Sequence, residues 1–400
     1  MDRVIFLVDM NAFYISCEST RNPALKDGPS AVAGDPKKRT GIILAANYKA
    51  RAFGVKTAMS VYEALRLCPN LVLVPPDHSF YSEKSKEVMR LLSSYTPVVE
   101  ENSIDEAWLD LTGCEKIFGK PMDIAQEIMC RIEEELDLWC SIGISNNKFL
   151  SKMAAEMKKP KGITTLWENE IKDKLWPLPI GKMYGVGQKT AQKLNALGIK
   201  TIKDAALADP MLLISNFGKW GESIYKHANG IDNSPVSPHA HEDVKTVGNS
   251  VTLSKNLTDF DEARKIMLHL SDKVGIRARR LNKQGKTVQI TIKYADFKTI
   301  TRQLTLPETS LTKDIYQAAI LLLEKHWKDR RPVRLLGVAL GDFKSNEVSK
   351  QISMFECIPE KPDPKKDKDI KLEETMDALR DKYGISSLKP AALIKKDMHD

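Results

Sequence analysis

The chain has 400 residues, 42% of them hydrophobic, with 61 Lys and Arg against 53 Asp and Glu for a formal net charge of +8. That length and apolar share predict about two to four folded domains with real cores and exclude a wholly disordered chain; the moderate basic excess fits a polyanionic partner without requiring one. Six cysteines with no CxxC pair exclude a disulfide framework or a zinc ribbon, and no apolar run is long enough to span a bilayer, so the expectation is a reduced cytoplasmic protein with no signal peptide and no membrane contact.

In chain order, residues 3–8 are an almost unbroken apolar run, the pattern of a strand buried on both faces, and Asp9 is the first polar residue after it. Two readings fit Asp9: an acid that holds a ligand at the end of a core strand, or the cap of a helix over residues 10–15. Residues 11–76 read as a small, mostly helical insertion with strand-like stretches at 31–35 and 42–45 and a turn at 37–40. A helical turn at 46–51 places Tyr48 and Arg51 on one face, a phenol and a guanidinium suited to phosphate oxygens, although ordinary surface pairing explains either residue as well.

A helix over residues 82–95 leads into the stretch with the most chemistry, 98–111. Val98 and Val99 on one side, and Ala107, Trp108, Leu109 and Leu111 on the other, read as two strands of a tight hairpin with Glu100 to Ser103 near its tip. Asp105 and Glu106 are adjacent, so they serve one site only if the backbone turns beside them. Paired carboxylates repel and raise each other's pKa unless a cation lies between them. With Asp9 they could share two hard divalent cations, which take oxygen ligands. A helix at 122–136, a core strand at 140–144 and a helix start at 145–154 with Ser or Asn caps follow. Of Lys152, Lys158, Lys159 and Lys161, most read as a solvated face, and one near the acids would offset a polyphosphate.

Residues 177–200 read as helix, glycine turn, helix. Gly185 and Gly187 flank Val186, and Lys189 and Thr190 open the second helix, whose free backbone N–H groups suit a DNA phosphate. A turn-rich linker at 233–242 precedes a further domain with strands at 246–252, 287–294, 299–306 and 333–340 and helices at 259–281 and 311–327, the order βαββαβ. Its basic residues, among them Lys245, Lys255, Arg277, Arg279, Arg280, Lys293 and Arg302, suggest a sheet face for a duplex backbone, while 277–283 equally reads as a charged helix face. Beyond it, Gln351, Ser353, Met354 and Phe355 lie in a short peptide with apolar anchors, a pattern that docks in a groove of another protein. A charged tail starts as linker-like and carries an amphipathic helix at 371–383.

The segments 8–14, 47–51, 103–107, 141–148 and 159–162 occur in the order and spacing of Y-family DNA polymerases, and the whole chain resembles the bacterial DNA polymerase IV type. The resemblance implies an α+β multidomain fold: palm at 1–10 and 77–165, fingers at 11–76, a helix-hairpin-helix thumb at 166–233, a linker at 234–242, a βαββαβ little finger at 243–345 and a tail at 346–400. It implies template-dependent DNA synthesis past damaged bases without proofreading, by a monomer in a bacterial cytoplasm. By the same resemblance Asp9, Asp105, Glu106 and the Met10 carbonyl hold two Mg²⁺ ions, with Mn²⁺ able to substitute. Tyr14 is then the steric gate against a ribose 2′-hydroxyl, Phe13 packs beside the sugar, and Tyr48, Arg51 and Lys159 hold the dNTP triphosphate. Primer-template DNA is a partner, and residues 351–355 resemble the peptide that binds the sliding clamp, the β subunit. The sequence departs from the family at Asn11, where many members have Asp, at Asn102, where Tyr or His is frequent, and at Trp108, where a smaller aromatic is usual. A catalytically silent clamp- and DNA-binding scaffold, and a nucleotidyl cyclase, are the competing readings.

Overall fold

The structure is a computed structural model that describes residues 3–36, 41–240, 243–343, 364–385 and 387–391. The chain forms two compact units, one made of residues up to Pro36 and from Gly41 to Glu242, the other of residues from Asp243 onward.

In the first unit, β1 (Ile5–Met10) is the middle strand of a five-stranded sheet. The chain then turns through Ala12, at φ 49° in the left-handed region, into α1 (Phe13–Arg21). A separate three-stranded sheet follows, made of β2 (Ser30–Ala33), β3 (Ile43–Ala46) and β4 (Val72–Val74). It packs with α2 (Tyr48–Ala52) and α3 (Val61–Leu67) over a core of small residues, Ala31, Ala33, Ala46, Ala50 and Ala64 among them. Asn47 fastens this subunit of structure: its Oδ1 accepts from the Ala50 N–H that opens α2, and its amide donates to the Gly28 carbonyl.

The chain returns to the large sheet through α4 (His78–Ser93), β5 (Val99–Glu101) and β6 (Glu106–Asp110). After α5 (Glu115–Phe118) and α6 (Pro121–Leu136) come β7 (Cys140–Ser145), α7 (Lys148–Met157) and β8 (Ile163–Thr165), giving the order β5-β6-β1-β7-β8. Side-chain parity assigns each face of β1 a different task. Phe6 and Val8 enter the main core with Tyr81, Val88, Leu92, Ile124 and Ile128. Ile5 and Leu7 face the other way, onto Trp108, Ala155 and Val236. There α7 crosses so closely that a Cβ on Gly143 would fall 2.0 Å from the Ser151 carbonyl oxygen. Asp9 shares the parity of Ile5 and Leu7 and so points to the α7 side.

Three expectations change here. Asp9 lies inside β1 rather than beyond its end, and it caps nothing: Ala12 is the N-cap of α1 and makes no side-chain cap bond. The segment expected as a turn-rich linker is fastened to the sheet by buried Val236 and by Glu100, which accepts from Ser237 N–H at 2.8 Å and from Lys148 Nζ at 2.6 Å. The helix expected before the glycine turn is a single 3₁₀ turn, Ile180–Lys182, preceded by extended backbone at Pro179, which has no N–H to carry a helix back through it.

Four helices complete the unit, α8 (Gln188–Ala196), α9 (Ile202–Leu207), α10 (Pro210–Phe217) and α11 (Lys219–Ala228), packed on Phe149 and Leu150 of α7. His227 stacks on Phe149 at 4.4 Å between ring centroids, and its buried Nδ1 has no hydrogen-bond partner among the described residues. Burial holds its pKa below the ordinary 6.5, with Asp232 opposing. The stability His227 contributes is therefore complete above pH 6.5 and is lost as pH falls through the depressed folded-state value, because the unfolded chain takes the proton first. On lowering pH from about 7.5 to about 5.5, the wild type is expected to lose roughly 1–3 °C more in Tm than His227→Phe. Parallel melting curves for the two proteins would remove His227 from the pH response.

The second unit has the expected βαββαβ order: β9 (Thr246–Leu257), α12 (Phe260–Arg280), β10 (Gly285–Tyr294), β11 (Thr299–Thr309), α13 (Thr312–His326) and β12 (Val333–Phe343). The strands form one antiparallel sheet, β11-β10-β12-β9. Val288, Ile290 and Ile292 pack with residues of both helices, so Thr287, Gln289, Thr291 and Lys293 face the open side. Their cross-strand partners there include Gln303, Thr301, Ala339 and Gly337. The open face is thus mostly small and polar, with Lys293 on it, rather than a continuous Lys and Arg stripe, and Arg277, Arg279 and Arg280 lie in the last turn of α12.

Two of those arginines meet the tail. Its helix, α14 (Pro364–Tyr383), starts earlier than expected and docks by charge, leaving Leu372 and Leu379 exposed. Arg279 pairs with Asp377 and Glu373, Arg280 with Asp381, and buried Arg380 with both oxygens of Asp272. Glu373 also accepts from the Thr312 N–H at 2.8 Å, supplying the cap that Leu311, the N-cap residue of α13, cannot. Residues 351–355 lie outside the described residues.

Candidate active site

Register brings the first two acids together. In the antiparallel pairing of β1 with β6, Asp9 stands opposite Glu106 and Leu7 opposite Trp108. Like charges directly across a sheet destabilise it. Relief comes from α7, whose Lys152 is buried and places Nζ 3.0 Å from Asp9 Oδ2, 2.5 Å from Glu106 Oε1 and 3.0 Å from Glu156 Oε1. Lys159 adds a second ammonium at 2.8 Å from Asp9 Oδ2. Oxygen atoms of Asp9, Glu106 and Glu156 all lie within 4.8 Å of one another, close enough to hold one metal ion. Asp105 sits at the turn beside them. Its carbonyl accepts from Met10 N–H at 2.9 Å, while its carboxylate accepts from Ser103 Oγ at 2.6 Å.

The electrostatics follow from this crowding. Burial raises Asp9, and its hydrogen bond with Glu106 adds to the rise, against Lys152 and Lys159. Asp105 is also raised, by burial first, with Ser103 opposing and the charge of Asp9 adding. Burial acts to raise Glu106, yet its hydrogen bond with Asp9 and the Lys152 ammonium outweigh it and leave this carboxyl below the ordinary value. Lys152 is held above its usual pKa because Asp9 and Glu106 overcome its burial. Such a site is an oxygen donor set that already attracts a cation.

Beside the acids opens a cavity of about 300 Å³, lined by Asp9, Met10, Phe13, Tyr14, Tyr48, Arg51, Asp105, Glu106 and Lys159, together with Asn11, Leu44, Thr57 and others. The Tyr14 ring is pinned: it stacks on Tyr81 at 4.5 Å and 15°, with His78 against it edge-on. Arg51 donates through Nε to the Ala46 carbonyl at 2.9 Å and stands 4.9 Å from the Tyr48 ring centroid. The Tyr48 hydroxyl is buried with no partner among the described residues, a donor held ready inside a polar cavity.

Comparison with known proteins gives this geometry its place. Models of the impB/mucB/samB family match residues 8–156, of its C-terminal domain 244–354, and of the IMS family HHH motif 168–199. The chain is 56% identical over 397 residues to DNA polymerase IV of Clostridium kluyveri, covering 99% of each chain. It is 51% identical to DNA polymerase IV of Alkaliphilus oremlandii, covering 99% of this chain and 100% of that one. The chain belongs to the DNA polymerase IV family. It is a DNA-directed DNA polymerase. A solved Y-family DNA polymerase chimera, 27% identical, superposes with a TM-score of 0.75 over 86% of this chain and 100% of its own, in keeping with the α+β multidomain architecture expected.

The three departures from the family pattern each have a local physical reason in this polymerase. Asn11 donates to Ser141 Oγ at 3.0 Å and accepts from Lys161 N–H at 2.9 Å, and so ties the segment bearing Lys159 to the end of β1. Asn102 donates to Glu106 Oε2 at 2.8 Å and orients that carboxylate. Trp108 is buried, donates to the Lys148 carbonyl at 3.1 Å and lies under the Lys148 ammonium. Sequence reasoning missed Glu156, Asn102 and Tyr81. Only the helical spacing of Lys152 and Glu156 carried a signal, and any exposed i,i+4 pair gives the same one.

At the glycine turn, Gly185 has φ +84°, and a Cβ there would meet the Trp220 ring at 2.6 Å. Gly187 is the N-cap of α8 with no side-chain cap, which leaves the first N–H groups of that helix, beside exposed Lys189 and half-buried Thr190, open to an anion.

Proposed function

We propose that the polymerase extends primers past damaged template bases, at low fidelity and without proofreading, by nucleotidyl transfer assisted by two Mg²⁺ ions. The observation that carries this reading is the facing pair Asp9 and Glu106, with Asp105 beside them, at the mouth of a cavity that also holds Tyr14, Tyr48, Arg51 and Lys159. Asp9, Asp105, Glu106 and the Met10 carbonyl would hold the ions, an all-oxygen set of the kind Mg²⁺ and Mn²⁺ take. When bound, the ions lower the pKa of the primer 3′-hydroxyl and offset charge on the triphosphate. The chain's own groups do the rest. Tyr48, Arg51 and Lys159 bind and orient the dNTP phosphates, Phe13 packs against the sugar, and Tyr14 excludes a 2′-hydroxyl. Asn102 holds the Glu106 carboxylate in place.

The same reading assigns residues 1–10 and 77–165 to the palm, 11–76 to the fingers, 166–233 to the thumb, 234–242 to the linker, 243–345 to the little finger and 346–400 to the tail. Gly185, Gly187, Lys189 and Thr190 would hold the backbone of primer-template DNA at a helix N-terminus. Gln351, Ser353, Met354 and Phe355 would bind the sliding clamp of a bacterial replication machinery, with the polymerase acting as a monomer in the cytoplasm. Among the described residues no helix is long and apolar enough to cross a membrane.

The test is primer extension on recessed templates, undamaged and carrying one abasic site, with Mg²⁺ and then with excess chelator. Extension past the lesion with Mg²⁺, falling to background on chelation, is the expected result. DNA binding without extension in any divalent metal would instead identify a silent scaffold.

A further inference from the structure

Lys152 is unlike the other lysines of this site. It lies on α7 beneath the sheet, its side chain is only 8% exposed, and its ammonium touches Asp9, Glu106 and Glu156 at 3.0, 2.5 and 3.0 Å. The first two are the acids assigned to the metals, and they face each other across β1 and β6, where with both ionised their repulsion is relieved by a cation. An ammonium occupying the oxygens that a divalent ion must approach to about 2.0–2.1 Å competes with that ion for them. Glu156 offers somewhere to go. It stands one helical turn further along α7, is 47% exposed, and already bonds the same Nζ.

We infer that Lys152 is a resident counter-cation: it holds the acids together in the metal-free polymerase and withdraws to Glu156 when a divalent ion takes Asp9 and Glu106. The inference rests on the metal assignment made above. Lys152 is thereby a positioning residue that sets metal affinity by competition. It keeps the cluster preformed at a cost in affinity, so that loading is weak until substrate phosphates add their own oxygens. Lys159, 23% exposed and shared between Asp9 and Glu156, is placed to turn outward to those phosphates.

The experiment titrates Mn²⁺ into the full chain without DNA or nucleotide, reading free Mn²⁺ by electron paramagnetic resonance, with Tm measured alongside. Lys152→Met is expected to bind Mn²⁺ about tenfold more tightly than wild type and, without metal, to melt about 3 °C lower or more. Lys152→Arg, which keeps the charge, should retain the metal-free Tm and show no tightening. Glu156→Gln should weaken Mn²⁺ binding when Lys152 is present and leave it unchanged when Lys152 is Met. Mn²⁺ affinity in Lys152→Met equal to or weaker than wild type overturns the inference, whatever happens to Tm; so do equal losses from Glu156→Gln in both backgrounds. Should Lys152→Met fail to fold without metal, the Lys152→Arg background decides: Glu156→Gln is expected to weaken binding there too, and unchanged binding overturns the inference. Failure of the underlying assignment has a separate signature, wild-type Mn²⁺ affinity in Asp9→Asn and Glu106→Gln.

Discussion

Glu106→Gln is expected to slow primer extension by about a thousandfold or more while leaving primer-template affinity within about twofold of wild type. The substitution keeps the size of the side chain and removes its charge. Glu106 sits across from Asp9, is aimed by the Asn102 amide at 2.8 Å and faces the Lys152 ammonium at 2.5 Å, so its carboxylate is held in one defined position. Metal-based stabilisation of transition-state charge is worth several kcal/mol, and each 1.36 kcal/mol is a factor of ten in rate, which sets the size of the effect. In the reading proposed above, DNA is held at Gly185, Gly187, Lys189 and Thr190, which the substitution leaves untouched. Single-turnover extension at saturating Mg²⁺ and fluorescence anisotropy of labelled primer-template measure the two quantities separately. Extension within tenfold of wild type would take Glu106 out of the chemistry.

The second large effect concerns the choice of sugar. Tyr14→Ala is expected to raise the ratio of ribonucleotide to deoxyribonucleotide kcat/KM on the order of a hundredfold or more, since a wall that excludes a hydroxyl discriminates only while it cannot move. What immobilises this wall is the stack of Tyr14 on Tyr81, itself fully buried and bonded through its hydroxyl to Glu18 at 2.6 Å. Tyr81→Leu keeps apolar bulk but removes the stacking face, and should give an intermediate loss of selection. Competition assays with matched nucleotides read both variants. Selection against ribonucleotides unchanged in Tyr14→Ala would falsify the gate.

Much of the molecule was legible because its signals are local. The apolar run before Asp9, the alternation through β10 and the glycine turn before α8 each report a backbone state that nearby residues fix. The acids at 9, 105 and 106 and the aromatic at 14 could be named from the sequence because each lies in a short motif, 8–14 or 103–107, whose own residues are a few positions apart. By contrast, the sequence did not show that Asn11 and Asn102 are working parts of the site, since each acts through a partner that only the folded register brings near.

The amino-acid sequence alone determined that β1 and β7 are core strands and that the second unit runs βαββαβ, for those properties depend on periodicity and residue type over short windows. The tertiary structure alone decided that Asp9 faces Glu106 rather than Asp105, that Lys152, 143 residues away from Asp9, pairs with both, and that an exposed-looking charged tail is held on α12 by Arg279 and by its own Arg380, which pairs with Asp272. Charges act through space with no period along the chain, so no window of sequence can disclose their partners before strand register and helix packing have set the distances.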